Sequence, residues 1–270
     1  MKFGHSMEII DFGIRKKGFC GVGLKGSLED FSSDTLHVHP FHQVLRISHG
    51  VALLEDGHMT RPQYGFLTAF IPARVPHRTR VLGELVEYQS LYFSASLSGL
   101  FPKQIVIFRM SELGRSLLHQ LNSGEPLRNL NRGMERDCLN LFIKVLEHDL
   151  RGASALLELR TPADETNRKL CAYIEQQYHR KITAADCAAI ALLSFRQLSR
   201  RFRDEMDVTV FAYLRMFRML KASILLNTAD AKMLDVAYQC GYTSVSSFFT
   251  DFKRTFSCSP VQFRRLQTMA

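Results

Sequence analysis

Residues 183–203 read TAADCAAIALLSFRQLSRRFR, and residues 232–256 read KMLDVAYQCGYTSVSSFFTDFKRTF. In the first stretch Thr183 caps a helix that carries Ala188 as a small residue at its centre. Six residues later Ser194 caps a second helix, with Gln197 placed to complete a capping box. Leu198 and Phe202, four apart, give that helix its buried stripe and leave Arg196, Ser199, Arg200 and Arg203 outside it. The pattern returns about fifty residues on, with Ala237 as the small residue, Gly241-Tyr242 as the turn, Thr243 or Ser244 as the cap and Phe248 and Phe252 as the stripe. Eleven steps separate small residue from stripe in the second unit, against ten in the first. Each stretch is a helix-turn-helix, and the first has a basic outer face.

Between them Thr209 to Asn227, with Phe211, Leu214, Met219 and Leu225 among its apolar positions, is long enough to be one rigid helix. A recognition helix fits one major groove, but a single short helix touches too few base edges to be selective. A stiff connector places two such helices on adjacent grooves of one duplex face. Charge agrees with this: the chain has 35 Lys+Arg against 26 Asp+Glu, net +9, and from Thr161 onward sixteen stand against ten. The positive field therefore lies mostly in the C-terminal part, where it favours a polyanion.

At these residues the chain resembles the AraC/XylS family of transcription regulators, from about Asp164 to Arg265. The resemblance is most specific in ALLSFRQLSRRFRDEM, in RMLKASILL and in VAYQCGYTSVSSFFTDFKRTFSCSPVQFRR. It implies base-reading positions at Arg196, Ser199 and Arg200 in the first recognition helix, and at Val245, Ser246, Phe249 and Thr250 in the second. Phe249 fits a core position equally well. Arg203, Lys253 and Arg254 are assigned to phosphates, which position a protein without reading sequence. Two departures concern stability: Asp207 and Ser257 stand where the family has Gly, and Lys232 stands where a capping Ser or Thr is usual.

The N-terminal part has a different rhythm. From about Ile9 to Phe93 it shows short apolar runs at 44–54, 64–71 and 86–93, punctuated by Gly21, Gly23, Gly26, Asp56-Gly57, Pro72, Pro76 and Gly83. Such runs predict a small β-barrel or sandwich. After Phe101-Pro102 the period becomes helical, with Leu113, Leu117, Leu118 and Leu121 on one face and Leu139, Phe142, Ile143 and Leu146 on another. These helices either cover the barrel or form a dimer seam. The expected fold class is α+β and multidomain: residues 1–150 a cupin-like, effector-sensing and dimerising β-barrel with a helical extension, 151–162 a linker, and 163–270 an all-α double helix-turn-helix domain. Thr161 caps the first helix of that domain, with Pro162 at its first position.

His37, His39, Gln43 and Gly50 read H-x-H-x3-Q-x6-G and resemble the first cupin motif, with Gln in place of Glu; Gly65, Pro72 and His77 match its second motif, where Ala73-Arg74 replaces a Gly-containing turn. His37, His39, Gln43 and His77 are thus the candidate effector site. Three imidazoles suit a divalent transition metal, so His37, His39 and His77 are the candidate metal ligands; an organic effector in the barrel mouth is the other reading. No cofactor is required for either. The sequence LYFSASLSGLFPKQIVIFRMSELGRSLL also resembles the end of sensor cupins in this regulator family.

Two functions compete. One is an effector-responsive transcription activator that binds double-stranded DNA and contacts RNA polymerase, as a homodimer if the helices between Glu112 and Asp149 pair. The other is a cupin-type metal-dependent enzyme with an accessory nucleic-acid-binding domain, and Gln43 in place of Glu argues against it. There is no G-x-S-x-G and no phosphate-binding Gly loop, so the expectation is no enzyme. The six cysteines form no C-x-x-C pair and read as reduced thiols. The N-terminus has no signal-like apolar region and no long apolar run follows, so the expected location is the cytoplasm without membrane contact.

Overall fold

A computed structural model describes residues 8–9, 19–27, 35–96, 101–122, 132–153, 157–227 and 231–268. The chain divides into two units, one built from residues 1–57, 61–155 and 266–270, the other from 58–60 and 156–265.

In the first unit β1 (Glu8–Ile9) pairs in parallel with β3 (His37–Val38). The main sheet is built from β2 (Phe19–Ser27), β4 (Phe41–Glu55), β5 (Met59–Tyr64), β6 (Thr68–Ile71), β7 (Arg78–Ser94) and β8 (Val106–Phe108). Its order is β2-β7-β4-β5, and β6 pairs with both β4 and β8. Strand β4 bonds to β7 along its whole length and to β6 through Gln43–Arg46. Register shifts flank His49 against β7 and curl the strand. The outcome is a curled antiparallel half-barrel, where the sequence reading expected a cupin-like β-barrel. Closure needs an edge-to-edge ladder, and among the described residues β2 pairs only with β7 and β8 only with β6.

Gly21, Gly23, Gly26 and Gly83 lie inside β2 and β7 and do not end strands. A ladder uses only backbone N–H and C=O groups, so glycine weakens a strand without forbidding it. Strand β8 falls where helix was expected to begin, because its three residues are too short to show a period.

Alternation sorts the sheet's faces. Val44, Phe70, Leu91 and Phe93 point one way and pack with Phe108 and with Leu118, Leu121, Leu139, Phe142 and Leu146 of α1 (Glu112–Asn122) and α2 (Arg132–Arg151). Each such residue contributes about 1.5–3 kcal/mol on burial. The two helices therefore cover the sheet, while Leu113, Met134 and Leu141 remain exposed on their outer faces. Gln43, Ser90 and Tyr92 point to the opposite face.

The second unit opens with β9 (Leu159–Arg160), paired with Met59 and Thr60. Among the described residues seven helices follow: α3 (Glu165–Gln177), α4 (Ala184–Ala191), α5 (Phe195–Met206), α6 (Val210–Leu225), α7 (Met233–Gln239), α8 (Val245–Phe256) and α9 (Pro260–Thr268). The cap of α3 is Asp164, not Thr161: its carboxylate accepts the Asn167 N–H at 3.1 Å. An anionic cap suits the positive helix end, and it leaves Pro162 outside the helix.

Helix α6 is the centre of this unit, with Val210, Tyr213, Leu214, Phe217, Met219 and Leu220 buried. Its Arg218 donates to the carbonyls of Tyr178 (2.9 Å) and Arg180 (2.8 Å), between α3 and α4, and its guanidinium lies 5.6 Å from the Tyr242 ring centroid. Tyr242 follows Gly241, the turn between α7 and α8, whose φ is +77°. A Cβ there would sit 2.5 Å from the Tyr178 carbonyl oxygen and 2.8 Å from Arg218 Nη2. Gly241→Ala is expected to cost about 2–4 kcal/mol, from left-handed strain plus overpacking. Denaturant unfolding of the two proteins measures it.

Candidate nucleic-acid interface

Helix α5 begins at Ser194, and the expected capping box is present: Gln197 N–H donates to Ser194 Oγ (3.4 Å) and Ser194 N–H donates to Gln197 Oε1 (3.2 Å). Leu198, Phe202 and Met206 are buried. By the 100° step of a helix, Arg196, Arg200 and Arg203 fall within about 60° of one another on the opposite side. All three are exposed, and none forms a salt bridge with a described residue. Ser199 is half-buried beside them. Helix α5 therefore presents three unengaged guanidinium groups on one face. Such groups reach guanine edges or phosphates.

Helix α8 presents a different surface. Of the two candidate caps, Ser244 serves, accepting the Ser247 N–H at 3.2 Å. Phe248, Phe252 and Phe256 are buried, stacking on one another and on Phe263. Ser246, Thr250, Lys253 and Arg254 are exposed, and Val245 and Phe249 are half-buried. The Phe249 ring lies 5.9 Å from the Phe248 ring, centroid to centroid. Thr250 spends its hydroxyl on the Ser246 carbonyl (3.0 Å), and Arg254 pairs with Asp251 (2.5 Å).

Asp207 and Ser257 close α5 and α8 in the left-handed region, with φ of 57° and 58°. The chain keeps the glycine geometry without the glycine, at a cost of about 1 kcal/mol each. Lys232 makes no side-chain cap on α7. A third left-handed residue had no signal in the sequence: Leu192, at φ 54° in the turn before α5, is 89% exposed.

In the first unit the candidate effector residues do come together. The His37 and His77 rings lie 4.3 Å apart, His39 and His77 4.9 Å, and His37 and His39 6.2 Å, measured between centroids. Backbone bonds join His37 to His77 in both directions. His39 Nε2 lies 3.0 Å from Gln43 Oε1, and the Gln43 amide also meets Ser90 Oγ (2.8 Å) and Tyr92 OH (3.0 Å). His39 Nδ1 lies 2.8 Å from the Phe41 carbonyl. A neutral imidazole has only one N–H to offer these two oxygens. The network closes if Nδ1–H donates to Phe41 and the Gln43 amide turns its NH2 toward Nε2, its oxygen then accepting from both hydroxyls. Gln can play both parts, which Glu cannot.

Burial holds the His39 and His77 rings neutral. Desolvation lowers the pKa of His39 against the raising effect of its bonds, and it lowers His77 to about 3, helped by the neighbouring His37 and His39. Neutral imidazoles are the metal-binding form; the Nδ1 atoms of His39 and His77 bond to backbone carbonyls, which leaves Nε2 as the ligating atom, and in His39 that atom meets the Gln43 amide. Among the described residues no three His, Cys, Asp or Glu side chains are arranged to hold a metal ion. The metal assignment for His37, His39 and His77 is thus without support, and the residues converge as a hydrogen-bonded polar cluster.

Residues 187–266 match a family model described as a helix-turn-helix domain. Over 245 residues the chain is 26% identical to the HTH-type transcriptional activator RhaS of Shigella sonnei, covering 85% of this chain and 87% of that protein. RhaS of Escherichia coli K12 aligns with the same identity and coverage. Among solved structures, ToxT from Vibrio cholerae O395 aligns over 94% of this chain and 100% of its own at 17% identity and a TM-score of 0.40. The DNA-binding domain of AdpA in complex with a target DNA aligns over 38% of this chain and 92% of its own at 28% identity and a TM-score of 0.36. Among the described residues no helix is long and apolar enough to cross a membrane.

The buried histidines predict a pH dependence. His77 is neutral when folded and takes up a proton near pH 6.5 when unfolded, so its stabilising contribution is present above 6.5 and is lost as pH falls toward 3. The loss is about 1.4 kcal/mol per pH unit within that window. Calorimetric melting of the first unit between pH 7 and 5 is expected to show the decline, and His77→Gln is expected to flatten it.

Proposed function

We propose that this chain is a transcriptional regulator of the AraC family, an effector-responsive activator that reads two adjacent major-groove segments with the helix pairs α4–α5 and α7–α8. The observation that carries the reading is the exposed face of α5, where Arg196, Arg200 and Arg203 form no salt bridge among the described residues, beside a fully formed capping box. In this reading Arg196, Ser199 and Arg200 read bases, and Arg203 grips phosphate. Helix α8 contributes Val245, Ser246, Phe249 and Thr250 to apolar and hydroxyl contacts, with Lys253 and Arg254 on phosphates. Helix α6 keeps the two readers at one separation.

Residues 1–150 act as the sensor, 151–162 as the connection and 163–270 as the reader. The cluster of His37, His39, Gln43 and His77 holds a small organic effector on the sheet face opposite α1 and α2. Neutral imidazoles, an amide and two hydroxyls there favour an uncharged ligand that both donates and accepts hydrogen bonds. Effector binding changes occupancy of DNA or contact with RNA polymerase in the cytoplasm, and a homodimer through α1 and α2 is the expected assembly. The enzymatic alternative has no support, since the relatives are transcriptional regulators.

Selection of bound sequences from random DNA, followed by titration at fixed salt, tests the reading. Arg200→Ala is expected to cost about 1–3 kcal/mol on the selected site and to relax preference at one base position. Equal affinity of the wild-type chain for selected and random DNA defeats the proposal.

A further inference from the structure

Four arginines crowd α5, at positions 196, 200, 201 and 203, and the structure does not use them alike. Arg201 turns away from the exposed face and pairs with Asp164, the cap of α3. One turn further on, Glu205 accepts from the backbone N–H groups of Ala163 (2.6 Å) and Asp164 (2.8 Å) through Oε1, and from Asn167 Nδ2 (2.5 Å) through Oε2. At the end of the helix Arg160 of β9 donates to the Glu205 carbonyl (3.0 Å) and pairs with Asp207, the left-handed cap (2.5 Å). Arg201 and Glu205 lie four apart, so they form one stripe along α5, flanking its buried residues. Every partner of that stripe comes from residues 160–167.

We propose that Arg160, Asp164, Arg201 and Glu205 form a clamp that sets the orientation of α5, so that Arg201 acts as a positioning residue withheld from DNA and the segment 160–164 is part of the reading apparatus. This rests on the reading of α5 as a DNA-binding helix. The clamp holds the helix at three points along its axis, where the hydrophobic stripe alone resists rolling only weakly. A base-reading side chain must arrive within about 0.5 Å and 10–20° of its hydrogen-bonding position, so a small roll of α5 removes base readout while leaving phosphate contacts nearly intact. The ionic state of the clamp is secure at neutral pH. Arg201 beside Asp164 holds that carboxyl below the ordinary range; burial of Glu205 is outweighed by the Asn167 amide and the Asp164 and Ala163 N–H groups, which hold it low as well.

The test uses the full chain, a DNA site selected by the wild-type protein, and random DNA as the reference. Arg160→Ala and Arg201→Ala remove side chains that are 42% and 51% exposed, so both proteins are expected to fold, with melting curves as the control. Both are expected to lose about tenfold or more of the ratio of selected to random binding, with base preference relaxed in the half of the site read by α5 and kept in the half read by α8. The slope of log K against log salt stays as in the wild type, and Arg201→Lys, which preserves the ion pair, restores the ratio. The clamp is refuted if Arg201→Ala shortens the salt slope by about one with the ratio kept, which marks a phosphate contact. It is refuted equally if Arg160→Ala and Arg201→Ala leave the ratio unchanged. Absence of any ratio in the wild type instead defeats the DNA-reading function itself, and the two failures are thereby told apart.

Discussion

The second unit depends on one guanidinium. Arg218 has been drawn out of water, which lowers its pKa, and it is compensated by two backbone carbonyls and the face of Tyr242. Its position on α6 lets it reach the end of the first helical layer and the turn of the last helix pair together. Removing water from a cation costs several kcal/mol unless its donors are met, so this arrangement penalises any displacement of the loop at Tyr178–Arg180 or of the turn at Gly241. Lys221 adds to the same region, 5.3 Å from the Phe217 centroid and 5.8 Å from Tyr178. The packing around α6 thus rests on electrostatics in a small desolvated volume as much as on the apolar stripes.

The first unit solves a different problem with the same tools. One face of its sheet is covered by α1 and α2, and the opposite face buries Leu45, Ile47 and Ile71 together with the polar cluster. There His39 and His77 are neutral because burial outweighs every hydrogen bond that would favour their charge. The sheet's edge manages charge by pairing: Glu55, itself buried, meets Arg78 (2.5 Å) and Arg80 (2.6 Å), whose attraction overcomes desolvation and keeps it ionised.

Much of this was legible in the sequence because its causes are local. Thr183 and Ser194 cap their helices as read, with their N3 partners in place, since a capping box involves residues only three apart. The stripes of α5 and α8 and the connecting helix follow from the same short-range rules, while the caps at Asp207 and Ser257 were legible only through the family resemblance. The misreadings share an opposite cause. Thr161 looked like the cap of α3 because Pro162 follows it, but Asp164 is held by Arg201, 37 residues away. Whether the sheet closes into a barrel depends on edge pairings that no period in a single strand records. The metal reading of the histidines is left without support because His39 Nε2 meets the Gln43 amide, a bond that a ligand pattern does not register.

The same contrast explains why a count of arginines misjudges α5. Composition suggests a helix with four equivalent cations, and periodicity already places Arg201 nearer the buried stripe than its neighbours. Only tertiary structure adds the anions that meet it. An arginine close to a helix's buried edge loses freedom to reach outward but gains access to the adjoining helix, where its fork suits a carboxylate. Arg200, one residue earlier, projects about 100° away and finds no acid within reach of a salt bridge among the described residues. One helical step therefore separates a side chain committed to holding the helix from one left free for a polyanion.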